Sequence, residues 1–158
     1  MKQVKRKVFA YITHQQNLLV FSHPPFPEAG IQVPAGTVER DEQPETAVLR
    51  EAFEETGLTN LTLNDFLGEQ KRDMFDFGRD EVHHRYFYHL LCQGNPPSRW
   101  QHREQYPSEG SALEPIVFEF FWVPLPSGVP ELIADHGIML PELLNRLSGK
   151  HGTTSARM

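Results

Sequence analysis

With 158 residues, 39% of them hydrophobic and 11% aromatic, the chain can bury a substantial core and fits one domain. Its formal net charge of −6 argues against a general nucleic-acid binder, yet allows a phosphate ligand wherever metal ions reverse the sign of a carboxylate-lined site. One cysteine, Cys92, excludes an internal disulfide, and no stretch approaches the roughly 18 apolar residues that span a bilayer, so the expectation is a cytoplasmic protein without a membrane partner.

Val4 to Ile12 reads as a strand, Gln15-Gln16-Asn17 as a turn, and Leu18 to Ser22 as a second strand, which makes a hairpin. The prolines of His23-Pro24-Pro25-Phe26-Pro27 remove ladder donors and impose a loop. Ile31 to Val33 reads as a short strand. Pro44 to Thr56 is the clearest helix: Asp41 or Glu42 can cap it, Pro44 suits its first turn and Gly57 its exit. Ala47, Val48 and Ala52, with Leu49 and Phe53 one turn around, supply its buried side. Phe66 to Phe77 and Val82 to Gln93 read as strands about the turn Gly78-Arg79-Asp80. Gly94 to Glu114 is a long connection rich in proline, serine, glycine and charge. Ile116 to Val123 is an apolar strand, and across Ile138 to Leu147 the leucines 140, 143, 144 and 147 fall on one helix side. The expected organisation is one domain over 1–150 and a disordered tail over 151–158. Its class is α/β (α+β), a mixed sheet flanked by helices.

The chemistry concentrates between Gly36 and Leu58. Glu51, Glu54 and Glu55 stand three and four residues apart on a helix, so their carboxylates converge and repel by a few tenths of a kcal/mol per pair. A cation between them removes that repulsion. Oxygen-only ligands suit a hard ion such as Mg²⁺ or Mn²⁺, which shares its shell between carboxylates, waters and substrate phosphates. Gly36 permits close backbone approach, and Arg50 can steady Glu42 or Glu51 through a charge-assisted hydrogen bond. A solvated charged face explains any single glutamate. The set of fixed Gly, Glu and Arg positions matches by chance less than about once in 10⁸ placements.

This segment resembles the Nudix box, Gx5Ex7REUxEExGU with U apolar: Gly36, Glu42, Arg50, Glu51, Glu54, Glu55 and Gly57 fill the fixed positions, and Ala52 and Leu58 the apolar ones. The resemblance implies a Nudix-type α/β/α sandwich around a mixed sheet. It also implies hydrolysis of a nucleoside diphosphate linked to another moiety, with Mg²⁺ or Mn²⁺ and an activated water. By position, Glu51, Glu54, Glu55 and the Gly36 carbonyl are the implied metal ligands, with Glu42 and Arg50 supporting. The implied general base is a box glutamate or one in a later loop; of Glu104, Glu109, Glu114 and Glu119, the expectation falls on Glu114.

Arg72, Arg79 and Arg85 are candidates for phosphates beyond the metals, and Phe75 for stacking on a base. The histidines His83, His84 and His89 do not form a metal-ligand pattern. No subfamily signature selects the substrate, expected to be a small nucleotide. A homodimer is conceivable through strands such as Ile116 to Val123. The rival reading is a non-catalytic Nudix-like module that binds a nucleotide and regulates a partner; retention of all three box glutamates weighs against it. A diphosphate isomerase would need a catalytic cysteine, and Cys92 carries no signature for one.

Overall fold

A computed structural model describes residues 2–104 and 116–157, with side chains described over 2–103 and 117–148. β1 (Gln3–His14) turns at Gln15 into β2 (Asn17–Ser22), the hairpin expected from the sequence, though both strands are longer than their apolar runs. The pairing carries the ends outward, since ladder bonds do not require an apolar side chain. β3 is Ala35–Thr37, two residues beyond the strand expected at Ile31 to Val33; Ile31 and Gln32 make only isolated bridges, to Leu132 and Phe21.

α1 (Pro44–Thr56) has the bounds read from the sequence. Gly57 closes it in the left-handed region at φ 79°, its N–H donating to the Phe53 carbonyl at 2.8 Å. Its N-cap is Gln43, which makes no side-chain cap, rather than Asp41 or Glu42. Glu42 is engaged elsewhere.

β4 (Leu61–Asp73) begins earlier than expected, because its leading half alternates half-buried and exposed residues with little apolar signal. Phe75–Phe77 is a 3-10 turn, not strand. β5 (Glu81–Cys92) and β7 (Ile116–Pro124) lie close to their expected spans. β6 (Arg99–Glu104) falls inside the stretch taken for an unstructured connection. α2 is Leu140–Arg157.

The seven strands form one mixed sheet in the order β4-β5-β1-β2-β7-β6, with β3 joined to β1; only β1 and β5 run parallel. One face packs Val8, Ala10, Ile12, Tyr88, Leu90 and Phe120 against Ala47, Val48 and Ala52 of α1. The other packs Phe9, Tyr11, Leu18, Val20 and Phe87 against Leu143, Leu140 and Leu147 of α2. The result is the α/β/α sandwich. β7 is bonded to β2 on one side and β6 on the other, so it has no free edge for pairing across a dimer. Among the described residues, no helix is long and apolar enough to cross a membrane.

Candidate active site

β3 carries the chain from its pairing with β1 to the loop before α1, and this sets the site. The Gly36 backbone faces the first turns of α1 so closely that a Cβ there would lie 2.0 Å from Glu51 Cδ and 2.2 Å from its Oε1. Glycine is required for this approach, not for an unusual φ. One turn on, Glu55 is only 8% exposed, and its Oε1 accepts the Ala35 N–H at 3.0 Å. Two of the three carboxylates are thereby set against the same short strand.

Arg50 organises the rest. Its Nε and Nη2 donate to the two carboxylate oxygens of Glu42, both at 2.8 Å. Nη2 also donates to the Thr37 carbonyl at 3.1 Å. Nη1 donates to Glu51 Oε2 at 3.0 Å and to Glu54 Oε1 at 3.3 Å. The hydrogen bond from Arg50 holds the Glu42 carboxyl below its usual range, and Glu42 in turn raises the guanidinium above its own. Glu42 also accepts the Glu39 N–H at 2.9 Å, which ties the loop before α1 to the helix.

The donor set fits a hard divalent cation in kind: three carboxylates and a loop whose glycine leaves room beside Glu51. Among the described residues, no group of three or more His, Cys, Asp or Glu side chains stands ready-made as a metal cage. The Glu51 and Glu54 oxygens are drawn to Arg50, whose positive charge relieves their mutual repulsion.

These residues line the mouth of a cleft of about 1260 Å³ that crosses β3 onto the α2 face of the sheet. Gly36, Arg50, Glu51, Glu54 and Glu55 lie along it, as do Arg79 and Arg85. Arg72 does not: its guanidinium is bound to Asp76 and Asp135 at 2.9 Å each, and it braces the turn beyond β4. Phe75 does not either. It is 77% exposed and sits under Lys2, while its neighbour Phe77 lines the cleft. Glu114 and Glu109 lie outside the described residues. Glu119 is committed to Arg99, whose Nε donates to it at 2.6 Å.

The cleft contains residues that the sequence did not single out. Phe53, expected in the core, is 51% exposed and lines it beside Glu54. His102 and Arg103 enter from β6; the His102 ring shares a hydrogen bond of 3.0 Å with the Glu54 carbonyl. Only the alternation of Trp100 and His102 marked this strand, and the prolines before it hid that signal. On the floor lie Lys7, His83, Arg85 and His136. Burial pushes the His83 ring down and the His136 ring to about 3, and it lowers Arg85 to about 10. Val33 N–H donates to His136 Nδ1 at 3.2 Å, which suits a neutral ring.

The sandwich and the carboxylate-faced helix at a cleft define the class: an α/β/α domain whose cleft is lined by both carboxylates and guanidinium groups. Residues 3–143 match the family model described as NUDIX domain. The chain belongs to that family, and with it to the Nudix pyrophosphohydrolases. Among solved structures it is similar to a MutT NUDIX hydrolase from Burkholderia pseudomallei, at 24% identity and TM-score 0.61 over 90% of this chain and 99% of that one. A UDP-X diphosphatase matches at 15% identity and TM-score 0.61 over 95% of this chain; the chain spans 66% of that protein's length. A bifunctional NMN adenylyltransferase/ADP ribose pyrophosphatase from Francisella tularensis, complexed with AMP and Mn ion, matches at 19% identity and TM-score 0.54, with 92% of this chain and 42% of that one covered. No curated protein matches.

Proposed function

We propose that this chain hydrolyses the diphosphate linkage of a nucleoside diphosphate joined to a second moiety, and that it does so in the cytoplasm with Mg²⁺ or Mn²⁺. The observation that carries this reading is the joint placement of Glu51, Glu54 and Glu55 on one face of α1 against Gly36, at the mouth of a cleft.

Glu51, Glu54, Glu55 and the Gly36 carbonyl would hold the cation. When bound, it supplies charge neutralisation at the diphosphate oxygens and an activated water. The protein's own groups do the positioning. The Ala35 N–H fixes one oxygen of Glu55 beside the Gly36 loop. Glu42 holds Arg50 from behind, so that its Nη1 stays between Glu51 and Glu54. Glu114 is the general base in this reading, and Arg79 and Arg85 serve the part of the substrate beyond the metals. Lys7, whose Nζ donates to Thr37 Oγ1 at 2.8 Å, adds a cation next to the Gly36 loop. The AMP and Mn ion of the Francisella complex and the name of the UDP-X diphosphatase support this substrate class and make Mn²⁺ a natural first metal to test.

The test is hydrolysis of nucleoside triphosphates, ADP-ribose, dinucleoside polyphosphates and sugar nucleotides, with Mg²⁺ and with Mn²⁺, by wild type and Glu55→Gln. Cleavage of at least one member, abolished in the variant, is expected. Cleavage unchanged by Glu55→Gln would remove the assigned metal site. Micromolar binding of one compound with no cleavage of any would establish the non-catalytic module instead.

A further inference from the structure

The cleft floor holds a buried arginine that no carboxylate among the described residues pairs. Arg85 is 1% exposed, and no carboxylate among the described residues lies within ion-pair distance of it. A buried cation without a counter-ion is expensive to keep, so its retention asks for a reason. Its contacts are unequal. Nη1 donates to the Ala134 carbonyl at 2.6 Å and, weakly, to Gln70 Oε1 at 3.4 Å. Nη2 meets only soft or distant acceptors, Met74 Sδ at 3.6 Å and His83 Nδ1 at 3.4 Å. Nε has no acceptor at all.

Nε–H and Nη2–H point the same way and form the side-on edge of the guanidinium, the edge that takes a pair of acceptors at once. In Arg85 that edge is buried and short of acceptors, Nε having none and Nη2 only Met74 Sδ and His83 Nδ1, while the opposite nitrogen is anchored. The plane is fixed as well, since the guanidinium stacks on Phe9 with its carbon 4.7 Å from the ring centre. Met74, the thioether across the edge, lines the cleft and is the kind of flexible, weakly bonded group that an occupant displaces.

We infer that Arg85 is a specificity-determining residue, reading through its Nε–Nη2 edge a nucleobase with two adjacent acceptors and no amino group there: the O6/N7 edge of a 6-oxopurine. This rests on the reading of the cleft as a nucleotide site given above. The surroundings favour a base over a second phosphate. Ile133 is an apolar wall of the same cleft and Phe9, Phe21 and Val33 lie buried behind it, a lining that suits a flat ring but not the hydration shell of a phosphate. Phe77, 43% exposed at the cleft and with Arg72 over its ring, is an aromatic group within the same cleft. Guanine and hypoxanthine present two acceptors side by side to an arginine fork. Adenine would set its amino group against the same donors and leave both sides unpaired in a dry pocket.

The experiment is calorimetric binding of GMP, IMP, AMP and inorganic phosphate to the full chain without metal, using wild type, Arg85→Lys and Arg85→Met. GMP and IMP are expected to bind tighter than AMP by roughly 5- to 150-fold, the discrimination one bidentate pair supplies. The preference should vanish in Arg85→Met, which removes both donors. It should also vanish in Arg85→Lys, which keeps the charge but lacks the side-on edge. Equal or tighter binding of AMP by wild type overturns the inference, as does a preference that survives both substitutions. Loss of phosphate binding without any base preference would make Arg85 an anion site and overturn it too, and so would no binding of any nucleotide at millimolar concentration. Circular dichroism reports whether Arg85→Met folds; if it does not, wild type and Arg85→Lys decide. Because these measurements need neither metal nor turnover, a chain that discriminates bases but cleaves nothing fails the proposed hydrolysis alone. One that cleaves without base preference fails this inference alone.

Discussion

Arg50 and Glu42 meet along a full guanidinium–carboxylate edge: Nε donates to Oε2 and Nη2 to Oε1, each at 2.8 Å. In Arg85, on the cleft floor, the Nε of the same edge has no acceptor. The pairing turns one arginine into a fixed strut, whose remaining Nη1 reaches Glu51 and Glu54.

Glu42→Gln should therefore weaken two properties at once. Removing one oxygen's charge from a part-buried bidentate pair is expected to lower stability by about 1–3 kcal/mol. Arg50 would then swing freely, and Mn²⁺ binding should fall roughly 10-fold or more, as when a supporting partner of a metal ligand is lost. Denaturant unfolding and Mn²⁺ titration followed by paramagnetic resonance measure the two effects. A variant that loses stability but binds Mn²⁺ as before would reduce Glu42 to a purely structural role.

Gly36→Ala separates fold from site in the opposite way. The added Cβ meets Glu51 side-chain atoms alone, Cδ at 2.0 Å and Cγ at 2.3 Å, so the side chain must leave its place while the backbone can stay. Stability should change by no more than about 1 kcal/mol, while Glu51 leaves its position and metal-dependent turnover drops. Turnover equal to wild type would mean that Glu51 does not work from beside Gly36.

The box was legible because its residues are close in sequence: α1 came out residue for residue from Pro44, Gly57 and the Ala47, Val48, Ala52 pattern. Phe53 departs from its expected place because helical spacing gives a direction but not what lies opposite it, and here the ring faces the cleft. β6 was missed because six residues after two prolines carry little periodic signal, and its place is secured by distant partners, Trp100 Nε1 donating to the Thr56 carbonyl at 2.9 Å and its ring stacking on Phe120. The floor was illegible for the same reason. Arg85 and Ala134, or Val33 and His136, are brought together only by the fold, across 49 and 103 residues. Arg72, Arg79 and Arg85 looked alike in sequence, yet one braces a turn, one stands at the rim and one is buried.

Phe53→Ala tests that correction. A ring half in solvent contributes little to the core, so the melting temperature should move by only a few degrees, far less than the about 3–5 kcal/mol of a buried Phe→Ala change would produce. KM for the best substrate should rise while kcat is kept, because the ring lines the cleft but touches none of the carboxylates' hydrogen bonds. A collapse of stability would return Phe53 to the core.

His136 gives the fold an acid-sensitive joint. Burial pushes its ring protonation down to about 3, and the Arg85 and His83 charges push the same way. Its neutral form ties the 133–136 turn to the sheet: Nδ1 accepts the Val33 N–H, and its carbonyl accepts the Tyr11 hydroxyl at 2.7 Å. A depressed value in the folded state means that the stability is present in full above the unfolded value of about 6.5 and is lost as pH falls from there toward 3. Across that window the unfolded chain takes a proton that the folded one refuses, at a slope of about 1.4 kcal/mol per pH unit. His83, also lowered by burial, adds a term of the same sign, and Glu42 joins only below the usual carboxylate range. His136→Asn keeps an acceptor near the Val33 N–H but cannot titrate. Its unfolding free energy should be nearly as high as wild type at pH 5 and should fall less steeply between pH 6.5 and 5, a window in which carboxylates contribute little. Urea unfolding across that range decides it: parallel slopes for the two proteins would mean that the imidazole is already charged in the fold, and the cleft floor would then carry one more positive charge than its geometry implies.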